Sequence, residues 1–196
     1  NITPIDVEDE FGKIHIYMLP FIKPAHVRRF FPEVEISSYT EAMKIVIENM
    51  NINKDERNIL ITHQFVTGAS RTESEEVSVG GSDNIDGAVF SGFDYVALGH
   101  IHRAQNCGSK FIRYCGTPLK YSFSESKDEK SITMLDVKEK GSIEISFIPL
   151  TPLRDMVEIK GMYNDIMLKS FYENTSLTDD YIHITLTDED DIPDVL

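Results

Sequence analysis

Three imidazoles stand where this chain could grip a metal ion. His63 closes the apolar run Asn58-Ile59-Leu60-Ile61-Thr62-His63, and Val96-Ala97-Leu98-Gly99-His100-Ile101-His102 carries the other two. Each group directly follows a strand-like stretch, and open α/β sheets hold ligands beyond the carboxyl ends of their strands. In extended chain, positions i and i+2 point the same way, so His100 and His102 are expected to face one side together. A third imidazole from a neighbouring strand end then makes a metal site, for which neutral imidazole suits Zn, Mn, Fe, Co or Ni. The competing reading is structural, because a histidine after a strand is ordinarily a hydrogen-bonded residue and two imidazoles can cap a loop without metal. Gly99 favours the functional reading of its pair, since glycine lets the backbone turn tightly at a strand end.

The elements that must position these residues follow from periodicity. Ile14 to Leu19 alternates and is β-prone, and His15 within it reads as a structural strand residue. Pro20, Pro24 and Pro32 make residues 20 to 36 irregular, with His26 exposed among them. Ser38-Tyr39-Thr40-Glu41 is a capping box that opens a helix to about Met50, with Ala42, Ile45, Val46 and Met50 on its buried side. Asn58 to Val66 is nearly continuous in apolar residues, as in a strand covered on both faces. Thr67 to Gly87 is a long polar loop, of a length that is often functional. Further strands are expected at Phe93 to Leu98, Phe111 to Cys115, Ser131 to Val137 and Ile143 to Ile148. Lys138-Glu139-Lys140-Gly141 is the turn between the last two.

Pro149 and Pro152 mark a seam that divides the chain into residues 1–150 and 151–196. Beyond it, Met156 to Ile159 reads as a strand and Asn164 to Glu173 as a helix. Tyr181 to Leu186 alternates, with Ile182, Ile184 and Leu186 on its buried face and His183 on its polar face. This unit is too small to be stable alone.

Composition narrows the function classes. The 196 residues carry a net charge of −14 and are 41% hydrophobic, which fits a globular protein and opposes a broad basic surface that wraps nucleic acid. An enzyme that grips phosphate through bound metal ions remains open, because the ions bring their own positive charge. Arg71, Arg103 and Lys120 are isolated candidates for phosphate contact. The apolar runs are far too short to span a bilayer, and no basic-then-apolar leader is visible. Cys107 and Cys115 lack metal-finger spacing and make no disulfide framework, so a reducing cytoplasm is the expected compartment. Thr187-Asp188-Glu189-Asp190-Asp191 is a solvated acidic run.

The residues also resemble a known family. Val79-Gly80-Gly81, the run from Phe93 to Gln105, and Arg113-Tyr114-Cys115-Gly116-Thr117-Pro118-Leu119-Lys120-Tyr121-Ser122-Phe123-Ser124-Glu125 are similar to the SbcD nuclease family of calcineurin-like metallophosphoesterases. Thr62-His63-Gln64-Phe65-Val66 fits the same pattern, and Pro152-Leu153-Arg154 and Tyr181 to Asp188 resemble the family's capping domain more weakly. The Gly-His-X-His motif belongs to the wider superfamily, whereas the flanking strings point to SbcD. Three motifs of that pattern are missing: Asp-X-His, Gly-Asp-X-X-Asp and Gly-Asn-His-Asp. They would supply a bridging aspartate, an asparagine ligand and an acid histidine. Gly81-Ser82-Asp83-Asn84-Ile85-Asp86 is only a chance likeness to the second.

The resemblance implies an α/β fold: the carboxy-terminal half of a metallophosphoesterase β-sandwich with helices, plus the start of a small α+β capping domain. It implies that His63 and His100 bind one manganese ion and His102 a second, as part of a metal-dependent double-strand DNA exonuclease and endonuclease. No catalytic residue is expected in this chain, and with half a ligand set it is expected to be inactive by itself. The implied partners are an SbcC-like SMC ATPase, double-stranded DNA ends and hairpins, and a second copy of the full-length protein. Two other readings stay open, another calcineurin-like phosphodiesterase and a non-catalytic partner-docking fragment. A cupin-type site also uses His-X-His, but it expects its third histidine later in the chain.

Overall fold

The computed structural model describes residues 2–74 and 83–190. Val79, Gly80 and Gly81 of the resemblance therefore lie outside the described residues, as do Ser82 of the chance likeness and Asp191 of the acidic run. In chain order the elements are β1 (Ile5–Asp9), β2 (Gly12–Leu19), α1 (Pro24–Arg28), α2 (Tyr39–Glu48), β3 (Arg57–His63), β4 (Phe65–Val66), β5 (Asn84–Ile85), β6 (Tyr95–Gly99), β7 (Gln105–Cys107), β8 (Ser109–Tyr114), β9 (Ser131–Val137), β10 (Ile143–Pro149), β11 (Met156–Gly161), α3 (Tyr163–Ile166), α4 (Lys169–Tyr172) and β12 (Tyr181–Leu186). The fold is α/β. A six-stranded sheet runs in the order β1-β2-β3-β6-β8-β7. Its four inner strands are parallel, and both edge strands are antiparallel to their neighbours.

Helix α2 forms where its capping box predicts. The Ser38 hydroxyl accepts from the Glu41 amide at 3.1 Å, and the Glu41 carboxylate accepts from the Ser38 amide at 3.1 Å. Ala42 and Met43 are fully buried against Leu60, Val96, Leu98 and Tyr17 of the sheet. Met43 was not among the residues expected on that face, whereas Met50 was and is buried. Truncating a residue placed like Leu60 to alanine costs roughly 2–5 kcal/mol, because both transfer energy and packing are lost.

Among the described residues the opposite face of the sheet is covered only at its foot. There β9 and β10 form an antiparallel hairpin that packs Ile143, Leu135 and Val137 against Ile59 and Tyr95. The buried Arg57 secures this corner, with Nη1 donating to Asp9 Oδ2 and to the Lys138 carbonyl, each at 3.0 Å. A buried guanidinium needs such partners to offset its lost hydration. Above Leu60 the cover ends, and Ile61 is 44% exposed. The expectation of a strand buried on both faces thus holds for the first half of β3 alone.

Several elements differ from the sequence reading. β1 escapes the pattern because three of its five residues are acidic and all five are exposed, as suits a protected sheet edge. α1 begins at Pro24 within the irregular segment, and proline is tolerated in a first helical turn. The run from Asn58 to Val66 breaks at Gln64, which is buried and donates from Nε2 to the Pro20 carbonyl at 3.3 Å. The helix expected over Asn164 to Glu173 is two single turns, α3 and α4.

β11 and β12 pair in parallel with each other, in a two-stranded sheet of their own. They meet the rest through Lys120–Asp155 at 2.8 Å and a Ser126–Glu158 hydrogen bond at 3.1 Å. A cavity of about 510 Å³ along this seam is lined by Pro118, Lys120, Lys130, Arg154, Asp155 and Tyr181. Ile182 is half-buried, but Ile184 and Leu186 are 46% and 38% exposed, so the face expected to be buried is largely open among the described residues. No described helix is long and apolar enough to cross a membrane.

His15 is structural, as its strand position suggested. Its Nδ1 lies 2.7 Å from Asp6 and its Nε2 2.8 Å from Glu56. Partial burial disfavours the imidazolium, but the two carboxylates outweigh it and raise the pKa. A raised folded-state pKa gives stability that is complete below the unfolded histidine value, about 6.5, and is lost as pH rises through the folded value. Urea unfolding should therefore show a stability gap between wild type and His15→Gln that is widest below about pH 6.5 and narrows toward pH 9. A gap independent of pH would contradict this account.

Candidate metal centre

The parallel pairing of β3 and β6 runs from Ile59 opposite Tyr95 to His63 opposite Gly99. Both strands therefore deliver an imidazole to the same carboxyl edge of the sheet. The His63 ring occupies the space over Gly99, where a Cβ would lie 2.8 Å from His63 Nδ1. His100 follows with φ of 107°, a backbone conformation that side-chain-bearing residues rarely adopt. Such strain costs of order 1–3 kcal/mol and is found where a site requires it. It brings the His100 ring edge-on to His63, with centroids 5.3 Å apart and planes at 88°. Phe21 stacks on His100 at 6.1 Å and meets His63 edge-on at 6.4 Å. Phe65 closes another side of His100 at 6.2 Å.

His102 takes a separate seat. The extended chain ends at Gly99, and the positive φ of His100 breaks the alternation that would have kept His100 and His102 on one face. Ile101 turns into the core. His102 Nδ1 lies 2.8 Å from Ser74 Oγ and 3.5 Å from Glu125 Oε1, and its ring centroid is 5.5 Å from that of Tyr121. Its carbonyl accepts from Thr117 N and from Lys130 Nζ, each at 3.0 Å. Gly116 makes this approach possible: its φ is 78°, and a Cβ there would lie 2.7 Å from the His102 carbonyl oxygen. Among the described residues no three His, Cys, Asp or Glu side chains converge as a complete metal-ligand set. The donors that are present suit a divalent transition ion, and the room over Gly99 is kept for an imidazole.

Glu125 and Lys130 were not singled out by residue type or spacing, although Glu125 ends one of the resemblance strings. Both are buried, and Lys130 Nζ donates to Glu125 Oε2 at 2.6 Å. Burial opposes charge on Glu125, but the Lys130 ammonium, the Ser74 hydroxyl and the Tyr121 amide outweigh it and hold the carboxyl below its usual range. The three cations considered for phosphate contact all have carboxylate partners: Arg71 with Asp83 at 3.1 Å, Arg103 with Asp128 at 2.9 Å and Lys120 with Asp155 at 2.8 Å. Asp83 and Asp86 serve locally, since Asp86 accepts from the Ala88 amide at 2.9 Å. His26 and His183 are exposed. Cys107 and Cys115 are free thiols. The buried Tyr114 hydroxyl donates to the Gln64 carbonyl at 2.6 Å and accepts from the Val66 amide at 2.8 Å, which fixes the chain just beyond His63.

No family model matches the chain. It is 33% identical over 197 residues to the SbcD subunit of the nuclease SbcCD from Staphylococcus epidermidis, covering 99% of this chain and 52% of that protein. It is likewise 33% identical over 178 residues to the SbcD subunit of the same nuclease from Staphylococcus saprophyticus, covering 89% of this chain and 46% of that protein. The chain resembles SbcD along nearly its whole length. It spans about half the length of these curated relatives. The SbcD-like strings from Phe93 and from Arg113 meet in space, where Gly116 and Thr117 pack on the backbone of His102.

Two substitutions test this geometry. Gly99→Ala should displace the His63 ring and lower stability by roughly 1–3 kcal/mol, as overpacking does. Tyr114→Phe removes both hydroxyl bonds beyond His63 and should cost about 1–3 kcal/mol. Thermal or urea unfolding reads both, and wild-type stability in either variant would refute the corresponding constraint.

Proposed function

We propose that this chain contributes the imidazole half of a two-manganese centre in an SbcD-like hydrolase that cuts phosphodiester bonds at double-stranded DNA ends and hairpins, in DNA repair and recombination. The observation that carries this reading is the meeting of His63 and His100 across two parallel strand ends, over a glycine that leaves room for the ring. In this reading His63 and His100 hold one ion and His102 the other. Such a metal pair supplies charge neutralisation on the phosphodiester and an activated water. The chain's own contribution is positional. β3 and the strained His100 set the first imidazole pair, Phe21 and Phe65 wall it, and Ser74 with Glu125 holds His102.

The residues that would complete the centre belong to the three absent motifs, so the proposal gives no cleavage activity to the 196-residue chain by itself. The formal charge of −14 means that the surface as a whole does not draw in DNA, which leaves the phosphate grip to the centre itself. Residues 151–196 are the beginning of a capping domain in this proposal. The exposed Ile184 and Leu186 suit a role in receiving an SbcC-like SMC ATPase. That assembly, like a homodimer of the whole protein and its place in the cytoplasm, is part of the same proposal. The name of the relatives supports it, since SbcD is one part of the SbcCD complex.

The decisive measurement is manganese-dependent cutting of linear double-stranded DNA by a protein that carries this chain together with the missing aspartate and asparagine motifs. Even losing a group that only supports a metal ligand typically costs about 10–100-fold. His63→Ala, His100→Ala and His102→Ala should therefore each lower cutting by about 100-fold or more. Undiminished cutting by His100→Ala would overturn the metal assignment. Robust cutting by the 196-residue chain would overturn the half-centre.

A further inference from the structure

Ser74 has one hydroxyl proton and, among the described residues, three polar neighbours. Glu125 Oε1 lies 2.7 Å from its oxygen, His102 Nδ1 2.8 Å and Thr72 Oγ1 3.0 Å. Glu125 is fully buried, and Lys130 Nζ stands 2.6 Å from its other oxygen. A carboxylate held against a buried ammonium is ionised and can only accept. The Ser74 proton therefore goes to Glu125, which leaves the two lone pairs of the hydroxyl to receive other donors. His102 can bond there only by donating from Nδ1, and Thr72 fills the second lone pair. Lys130 is similarly committed, since it donates to Glu125, to the His102 carbonyl at 3.0 Å and to Thr117 Oγ1 at 3.2 Å. One buried ion pair thus fixes both the backbone and the ring of His102.

We infer that Glu125, acting through Ser74, is a positioning residue that sets His102 in the tautomer protonated at Nδ1, so that Nε2 carries the lone pair offered for ligation. The ligation half of this inference rests on the proposal that His102 binds a metal ion, whereas the tautomer half stands on the hydrogen-bond geometry. A metal ligand must present an unprotonated nitrogen, and the bond made by the other ring nitrogen decides which one it is. A histidine held this way needs no tautomer exchange before it binds.

The test is nitrogen NMR of the full chain, metal-free, at a pH where the imidazole is neutral. In the wild type, His102 Nδ1 should resonate as a protonated nitrogen and Nε2 as an unprotonated one. Glu125→Gln could fail to fold because it strands Lys130, so Ser74 is the better site to change. Ser74→Ala should collapse the separation of the two shifts or reverse it, while Ser74→Thr, which keeps a hydroxyl, should restore it. An Nε2-protonated His102 in the wild type would overturn the inference, as would an unchanged pattern in Ser74→Ala. Titration with manganese then reads ligation separately. Paramagnetic broadening of His102 supports the offered Nε2. Broadening of His63 and His100 without His102 removes the ligation half, and absence of broadening at all three histidines would sink the metal reading on which that half depends.

Discussion

A backbone register, His63 opposite Gly99, is the constraint on which the rest of the candidate centre depends. Parallel pairing aligns the carboxyl ends of β3 and β6, so residues leaving both strands arrive at one edge. Glycine at position 99 then removes the only atom that would collide with the His63 ring. His100 completes the corner in a strained backbone conformation, a cost that the hydrogen-bonded strands and the aromatic wall of Phe21 and Phe65 must over-determine. A one-residue slip between β3 and β6 would send His63 to the opposite face of the sheet.

The second half of the centre is held by a different kind of force. Glu125 and Lys130 form a buried ion pair among loops that have little regular structure of their own. Such pairs are not strong sources of stability, since the lost hydration offsets much of the attraction, but losing one partner costs roughly 3–5 kcal/mol. The pair therefore acts as a geometric clamp. It draws the segment after β8 and the segment after β6 onto a single ammonium, and it does so at the backbone of His102. Packing positions His63 and His100, while electrostatics positions His102.

The sheet itself is unevenly covered, and this bears on function. The β9–β10 hairpin protects its foot, with Arg57 binding that corner to β1 and β3. Toward the carboxyl edge, Met18 and Ile61 are 56% and 44% exposed, whereas the first four residues of β3 are buried. The candidate centre thus lies at the less covered end of the sheet among the described residues.

Much of the local structure was legible in the sequence, because it is decided by near neighbours. The capping box of Ser38 and Glu41 placed α2, and alternation placed β9 and β10. The strings around His100 and Glu125 carried the SbcD resemblance. The importance of His63, His100 and His102 as a candidate set came from residue type and their place after apolar runs. The SbcD resemblance implied how that set divides, His63 with His100 and His102 apart, but periodicity did not. Alternation in extended chain predicted that His100 and His102 would act together, but the chain turns at Gly99, and His100 sides with His63 instead. Ser74 and Lys130 gave no local signal, and the string ending in Glu125 gave that residue no role, because a buried carboxylate and ammonium are recognisable only once residues far apart in the chain are folded against each other. Exposure of Ile184 and Leu186 was likewise a tertiary outcome, since alternation marks an apolar face but only packing decides whether anything covers it.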